Sequence, residues 1–110
     1  IGAVMPGVSG GGIRGGGRLL KRFGLDWEDA GKLASDAANA LARGFPHGVS
    51  FTSHVASRKP GSIVSIDALR GAGFPVEQTG SRASHYTVHL PQPVTDEVAD
   101  LFNQVLGRSR

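Results

Sequence analysis

SHYTVHL at residues 84–90 alternates polar and apolar side chains more regularly than any other stretch of the chain. Alternation of this kind predicts a half-buried β-strand, because successive side chains of a strand point to opposite faces of its sheet. One face would carry Ser84, Tyr86, Val88 and Leu90, and the other His85, Thr87 and His89. Burying the second face would deprive imidazole and hydroxyl groups of water. We therefore expect this polar face to line a cleft or face solvent, and any chemistry to be located there.

A second stretch, residues 49–55, has a similar pattern. Its apolar side consists of Val49, Phe51 and Val55, and its polar side consists of Ser50, Thr52 and His54. If this strand and residues 84–90 are neighbours in a sheet, their polar sides form one continuous surface. The apolar sides would then pack together against helices.

Two longer helices are predicted before and after these strands. The first begins with Asp26 as N-cap and runs to about Arg43, with apolar residues three or four apart and Gly44 as the terminating residue. The second is capped by Thr95 and runs to Gly107, with an apolar stripe along one side. Both helices can cover one face of a sheet.

Shorter elements are predicted between and before them. Residues 57–62 indicate a turn, and a short helix capped by Ser62 or Ser65 is favoured up to Arg70, with a strand at 63–66 as the alternative. Residues 74–79 predict a further strand. Residues 18–23 indicate a basic turn, either a solvated first helical turn, which we favour, or a patch that contacts phosphate.

This order of elements predicts an α+β domain, in which a small antiparallel sheet of about three to four strands is packed on helices on one face. Residues 1–17 are glycine-rich and predict a flexible linker. Residues 18–110 then form a single domain, with a helical part at 18–43 and a strand-rich core and C-terminal helix at 44–110.

Composition narrows the class of protein. The chain has 110 residues, no cysteine, a net charge of +3 and 39% hydrophobic residues. Without cysteine there is no disulfide framework and no thiolate nucleophile or metal ligand. No stretch approaches the ~20 apolar residues of a membrane span, so we expect no membrane association. The basic balance favours an anionic partner such as nucleic acid.

Cleavage of RNA without a metal needs a base, an acid and donors for the charge that develops on the phosphate. Histidine suits both proton-transfer roles. We therefore predict a catalytic group consisting of His85, His54, Arg82 and Thr87. We predict substrate contacts from His47, Arg58, Lys59, Tyr86 and His89. His85, close to Arg82 at the start of its strand, is the favoured catalytic residue.

Other chemistries fit less well. His85 and His89 would lie ~13 Å apart in a strand and could not share a metal ion. The glycine runs near the N-terminus precede no βαβ unit, and no serine lies in a G-x-S-x-G turn. We therefore expect no metal and no cofactor.

The segments GFPHGVSFTSH at 44–54, HYTVHLPQPVT at 85–95 and VADLFNQVLGR at 98–108 resemble the C-terminal toxin domains of bacterial polymorphic toxins. Many of these are metal-independent ribonucleases of the barnase, EndoU or RelE-like kind. The resemblance implies a monomeric domain that is delivered by secretion, cleaves RNA in the cytoplasm of a target cell and is neutralised by an immunity protein. His47, His54, Arg82, His85 and Thr87 match the residue types that such sites use.

A second resemblance is to HicA-like ribonucleases, in which a helix leads through Gly-Phe into a strand and then to Gly-Ser-His. Residues 69–74, LRGAGF, followed by Gly80-Ser81 have this order. Here Arg82-Ala83-Ser84 separate that motif from His85. Both resemblances point to RNA as the substrate.

Two rival functions remain open. One is a non-catalytic module that binds RNA or a protein. The other is an ADP-ribosyltransferase toxin, in which Arg43 or Arg58 would act together with the Ser50-Phe51-Thr52 strand and a glutamate. Glu97 lies on a predicted helix rather than after a suitable strand, so this reading is less favoured than a ribonuclease.

Overall fold

The computed structural model of the protein describes residues 18–110, and the predicted linker at 1–17 lies outside the described residues. Five strands are present in this part of the chain: β1 (Leu19–Phe23), β2 (Gly48–Thr52), β3 (Gly61–Ser65), β4 (Val76–Gln78) and β5 (His85–His89). The three helices are α1 (Ala30–Ala42), α2 (Ile66–Gly71) and α3 (Asp96–Val105).

All five strands form one antiparallel sheet in the order β3-β1-β2-β5-β4. The α+β class is confirmed, and the sheet has one strand more than the upper end of the expected range. The two strands that the alternating patterns predicted, β2 and β5, are direct neighbours at the centre of the sheet. Among residues 18–110, no helix has the length and apolar character needed to cross a lipid bilayer.

The prediction of a turn at residues 18–23 was wrong. Residues 19–23 are β1, which pairs along its whole length with β3, from Leu19 opposite Ser65 to Phe23 opposite Gly61. The sequence LLKRF lacks a strict alternation of polar and apolar residues. Its strand conformation is therefore stabilised by hydrogen bonds to residues about 40 positions further along the chain. Pairing between such distant segments cannot be predicted from a local sequence pattern.

The segment at 61–71 combines both alternatives that the sequence left open. Gly61 begins β3 instead of completing a turn, and the strand continues to Ser65. The Ser65 side chain then accepts a hydrogen bond from the backbone N–H of Ala68 and caps α2. A single serine thus ends the strand and begins the helix.

The two longer helices start and end at well-defined residues. Asp29, and not Asp26, is the N-cap of α1, because its carboxylate accepts from the Lys32 N–H. Gly44 follows α1 with a φ of 88°, as expected for a terminating glycine. Thr95 caps α3, as predicted, by accepting from the Val98 N–H.

The helices cover the face of the sheet that carries the apolar side chains. Phe102 of α3 is fully buried and makes edge-to-face contacts with Phe51 and Phe74. Leu33 of α1 and Val88 of β5 belong to the same core and are also fully buried. The opposite face of β1, β2 and β5 is therefore left for the polar side chains.

A buried ion network joins the ends of the described chain. Arg22 of β1 lies 2.6 Å from the carboxylate of Glu28 and 2.9 Å from that of Asp36. Arg108, after α3, also pairs with Glu28, and it donates to the backbone carbonyls of Asp26 and Gly24. Such a network fixes β1, the start of α1 and the C-terminal segment relative to one another.

Candidate active site

The polar sides of β2 and β5 form the floor of a cleft. Their register places Ser50 opposite Thr87 and Thr52 opposite His85, and β1 adds Lys21 opposite Thr52. The segments that follow β2 and precede β5 border this floor, and the cleft has a volume of about 770 Å³. Pockets of this size hold small ligands or single residues of a polymer. The polar residues that line it are Lys21, Ser50, Thr52, Ser53, His54, Ser57, Arg82, Ser84 and His85.

His85 is held by hydrogen bonds on both sides of its ring. Its Nδ1 atom lies 3.2 Å from the carbonyl oxygen of Thr79 and 2.9 Å from the Oγ1 atom of the same residue. Its Nε2 atom lies 3.2 Å from the Oγ atom of Ser50. The imidazole is therefore fixed in one orientation across the floor of the cleft.

These contacts fit the tautomer that carries its proton on Nδ1. A carbonyl oxygen can only accept, so the Thr79 carbonyl requires a donor at Nδ1, and the Thr79 hydroxyl can accept from the same proton. In the neutral ring, Nε2 then has a lone pair and accepts the hydroxyl proton of Ser50. This arrangement suits a general base: one nitrogen is oriented by the protein, and the other faces a hydroxyl group whose place a substrate hydroxyl can take.

Two threonines, Thr79 and Thr87, stabilise this orientation of the His85 ring. Thr79 is buried, and its Oγ1 atom lies 2.8 Å from the Oγ1 atom of Thr87, which is only 1% exposed. The backbone N–H of Thr79 also donates to the carbonyl of His85. Thr87, predicted as a catalytic residue, is therefore buried on the same face of the sheet as His85, does not line the cleft, and is linked to the His85 ring by hydrogen bonds through Thr79.

The ring of Phe45 covers one side of the His85 imidazole, with 5.2 Å between the ring centroids. Gly80 lies next to both rings in a turn with a φ of 75°, and a Cβ atom there would be 3.4 Å from Phe45. A side chain at this position would strain the backbone, because the positive φ is one that side-chain-bearing residues rarely adopt. The turn between β4 and β5 therefore depends on glycine to bring Thr79 against His85.

Two cations line the cleft. The Lys21 side chain is largely buried, and its Nζ atom donates to the Ser57 carbonyl over 2.8 Å. An ammonium group has three N–H donors, so donors remain for an anion. Arg82 is exposed at the border of the cleft. His54, also exposed, adds a second imidazole.

No aspartate or glutamate is among the residues that line the cleft. Its charge is therefore carried by lysine, arginine and any protonated histidine, which favours an anionic ligand. Within residues 18–110, no three side chains of the histidine, aspartate and glutamate types are grouped so that they could hold a metal ion together.

The structure brings together three of the four predicted catalytic residues. His85, His54 and Arg82 line the same cleft, and the fourth, Thr87, is buried and does not line it. Lys59, predicted to contact substrate, does not line the cleft but lies next to it, with its Nζ atom over the ring of the lining residue Phe23, 5.0 Å from the ring centre. The grouping of His54 and His85 depends on the β2–β5 pairing that the sequence suggested.

The other predicted contact residues lie outside the cleft. His47 hydrogen-bonds the carbonyl of Leu90 before β2 begins, and His89 pairs with Glu77 at a distance of 2.6 Å. Arg58 is exposed in the segment between β2 and β3.

Tyr86 is on the opposite face of the sheet, where its hydroxyl accepts a hydrogen bond from Arg18. A phosphate donor role for this hydroxyl does not fit that position. The same alternation that points His85 into the cleft directs its neighbour Tyr86 toward the helices.

Sequence reasoning missed several residues of the site, among them Lys21 and Thr79. Lys21 was missed because residues 18–23 were predicted to form a turn. It lies opposite Thr52 only because β1 pairs with β2. Thr79 ends a predicted strand, but nothing in the local sequence shows that it contacts His85. Comparison with protein-family models, with curated proteins and with solved structures gives no match to this chain.

Proposed function

We propose that the protein is a metal-independent ribonuclease in which His85 is the general base. The observation that carries this proposal is the orientation of the His85 ring. Thr79 holds Nδ1, and Nε2 lies in a cation-lined cleft beside a hydroxyl group. The Ser50 hydroxyl marks the position at which a substrate hydroxyl can be deprotonated.

The reaction follows from this placement. Nε2 of His85 takes the proton of a ribose 2′-hydroxyl, and the 2′-oxygen forms a bond to the adjacent phosphorus. The bond from phosphorus to the 5′-oxygen of the next nucleotide breaks, and that oxygen receives a proton from the imidazolium form of His54. The products are a 2′,3′-cyclic phosphate and a free 5′-hydroxyl, and the two histidines have exchanged protonation states.

Lys21 and Arg82 act on the phosphate in this scheme. Negative charge grows on the non-bridging oxygens as the 2′-oxygen attacks, and donors fixed in place stabilise that charge more than flexible solvent does. Lys21 suits this role best because its side chain is largely buried and fixed by Ser57. Arg82, at the exposed border, contributes mainly to binding of the strand.

The test is cleavage of purified RNA by the domain in the presence of EDTA, with product ends identified. We expect cyclic phosphate ends from the wild type and a loss of at least about 10²-fold in rate for His85→Ala. His89→Ala removes an imidazole from the same strand outside the cleft and serves as the matched control. Intact RNA with the wild type, or equal rates for wild type and His85→Ala, would overturn the proposal.

One further function is favoured by a specific contact. The 3.2 Å separation between Ser50 Oγ and His85 Nε2 is also that of a serine nucleophile and its base. In that case the enzyme would be a hydrolase that forms a covalent intermediate on Ser50. The Ser50→Ala variant separates the two functions.

We extend the proposal to a toxin domain on the basis of the resemblance noted above. A ribonuclease that acts in the cytoplasm of a target cell needs an immunity protein in the cell that produces it. Expression of the domain in bacteria should arrest growth, and His85→Ala should relieve the arrest while His89→Ala does not. Growth arrest that is unaffected by His85→Ala would contradict this extension.

A further inference from the structure

An aromatic ring and a cation lie together at one side of the cleft. Phe23, the last residue of β1, lines the cleft and keeps 45% of its surface exposed. The Nζ atom of Lys59 lies 5.0 Å from the centre of its ring. This exposed aromatic ring faces the same space as His85, and an aromatic ring in a cleft offers a flat apolar face for stacking.

The spacing between Phe23 and His85 follows from the sheet. Lys21 of β1 lies opposite Thr52 of β2, which in turn lies opposite His85 of β5. β1 and β5 are thus two strand spacings apart, roughly 10 Å. Phe23 is two residues beyond Lys21 on the same strand and on the same face.

On the basis of the ribonuclease function proposed above, we propose that Phe23 is the stacking platform for an unpaired nucleobase, and that the substrate is single-stranded RNA. A base stacked on Phe23 extends its ribose toward the floor of the cleft, where Nε2 of His85 lies. The ammonium group of Lys59 lies over the same ring, and in this arrangement it pairs with a phosphate of the strand. Stacking on aromatic side chains next to a basic groove is the usual mode of single-strand recognition.

The charges of the cleft favour this occupant over a peptide or a neutral apolar ligand. Lys21 and Arg82 line the cleft, Lys59 lies at its edge, and no carboxylate is among the lining residues. Apolar residues such as Val55 and Ala56 form part of the wall. An apolar planar group attached to a polyanion fits both properties, and a nucleotide strand combines them.

Double-stranded RNA does not fit this arrangement. Bases within a duplex are stacked on both faces by their neighbours, so none can present a face to Phe23 without being unpaired first. In addition, the platform and His85 lie within one recess of about 770 Å³, which accepts a nucleotide that is extended away from its neighbours. Selection of unpaired RNA thus follows from the position of Phe23.

The test uses equilibrium binding of a fluorescent 2′-O-methyl oligonucleotide, which lacks the attacking hydroxyl, in single-stranded form and as a duplex. We expect the single strand to bind more tightly than the duplex and Phe23→Ala to weaken single-strand binding by about fivefold or more. Phe23→Trp should retain affinity. Phe23→Leu keeps a large apolar side chain without the ring and should bind as weakly as Phe23→Ala. This variant distinguishes loss of the aromatic ring from a folding defect caused by removal of a large side chain.

Leu25→Ala is the matched control, because Leu25 is a large apolar residue that is 60% exposed and does not line the cleft. Equal affinity for wild type, Phe23→Ala and Phe23→Leu, equal affinity for strand and duplex, or no binding of the oligonucleotide would overturn the platform. Binding is measured without cleavage, so the outcomes are independent. If the protein cleaves RNA and binding does not depend on Phe23, the ribonuclease proposal stands and the platform proposal fails. If binding depends on Phe23 but RNA is not cleaved, the platform proposal stands and the ribonuclease proposal fails.

Discussion

The Oγ atom of Ser50 lies 3.2 Å from the Nε2 atom of His85. The nitrogen that is to take a proton from substrate is thus already occupied by a hydroxyl of the protein. In a ribonuclease, the 2′-hydroxyl of the substrate must replace Ser50 or share Nε2 with it. In a serine hydrolase, Ser50 is itself the attacking group.

Ser50→Ala should therefore leave ribonuclease activity within about threefold of the wild type, because the substituted hydroxyl only holds the place of the substrate. A serine nucleophile would instead lose at least about 10³-fold in kcat. Initial rates on a short RNA, measured with and without EDTA, distinguish these results. Loss of RNA cleavage in Ser50→Ala with a normally folded protein would contradict the assignment of His85 as a base for the 2′-hydroxyl.

Thr79→Val should lower kcat by roughly tenfold, about 1.4 kcal/mol in the barrier, with little change in KM. The substitution removes the hydroxyl that contacts His85 and Thr87, while the Thr79 carbonyl still orients Nδ1. It should also reduce the free energy of unfolding by about 1–3 kcal/mol, because the Thr87 hydroxyl loses its buried partner.

Thr79→Ser keeps the hydroxyl and should restore most of kcat. A purely structural role for Thr79 predicts that kcat per folded molecule is the same in both variants. The rate–pH profile checks this point, since looser orientation of His85 changes the profile of Thr79→Val but not that of Thr79→Ser.

Arg108→Ala should reduce the free energy of unfolding by at least about 2 kcal/mol. The Arg108 side chain is buried and pairs with Glu28, and it donates to Ser62 and to backbone carbonyls that include Gly24. Arg110→Ala, only two residues away, removes an exposed contact with Asp100 and should change stability by no more than about 1 kcal/mol. Urea unfolding of both variants measures the difference, and equal midpoints would show that the buried network does not stabilise the fold.

The protein should lose stability in acid through Glu28. Burial by itself raises the pKa of Glu28, but hydrogen bonds and charge from Arg22 and then Lys32 outweigh burial and hold the pKa below its ordinary value. The folded state therefore binds this proton less readily than the unfolded state. The contribution of ionised Glu28 to the free energy of unfolding is complete above the ordinary glutamate pKa of about 4.3. It is lost as the pH falls through the lower pKa of the folded state.

Glu28→Gln cannot titrate, so its free energy of unfolding should depend less steeply on pH below about 5. The variant should also be less stable than the wild type at neutral pH, because Arg22 and Arg108 lose their shared carboxylate. Chemical unfolding at a series of pH values gives both quantities. Parallel curves for the two proteins would exclude Glu28 as a source of the acid dependence.

The amino-acid sequence by itself determined which side of each predicted strand is polar. The alternation at residues 49–55 and 84–90 reflects the pleat of a strand with one buried face, which is a local property. It correctly separated Val49 and Val88, which lie in the core, from Ser50 and His85, which lie in the cleft. The prediction was wrong for Val55, because the strand ends at Thr52 and Val55 lines the cleft. The cap at Thr95 and the glycine at 44 were also predictable, because helix ends follow rules that act over a few residues.

The tertiary structure alone decided the rest of the site. Lys21 and Phe23 join the cleft only because LLKRF pairs as a strand with β3 and lies beside β2. Glu28 is the centre of a buried ion network because β1 and the C-terminal segment bring Arg22 and Arg108 against it. These positions depend on contacts between residues far apart in the chain. The local pattern of polar and apolar residues does not indicate which distant segment a strand will pair with.

His85 shows both contributions. Its place on a polar strand face followed from the alternating pattern around it, and so did its proposed importance. The orientation of its ring depends on Thr79 and Ser50, which reach it from β2 and from the turn after β4. Sequence therefore located the histidine, and packing of three separate segments determined which of its nitrogens faces the cleft.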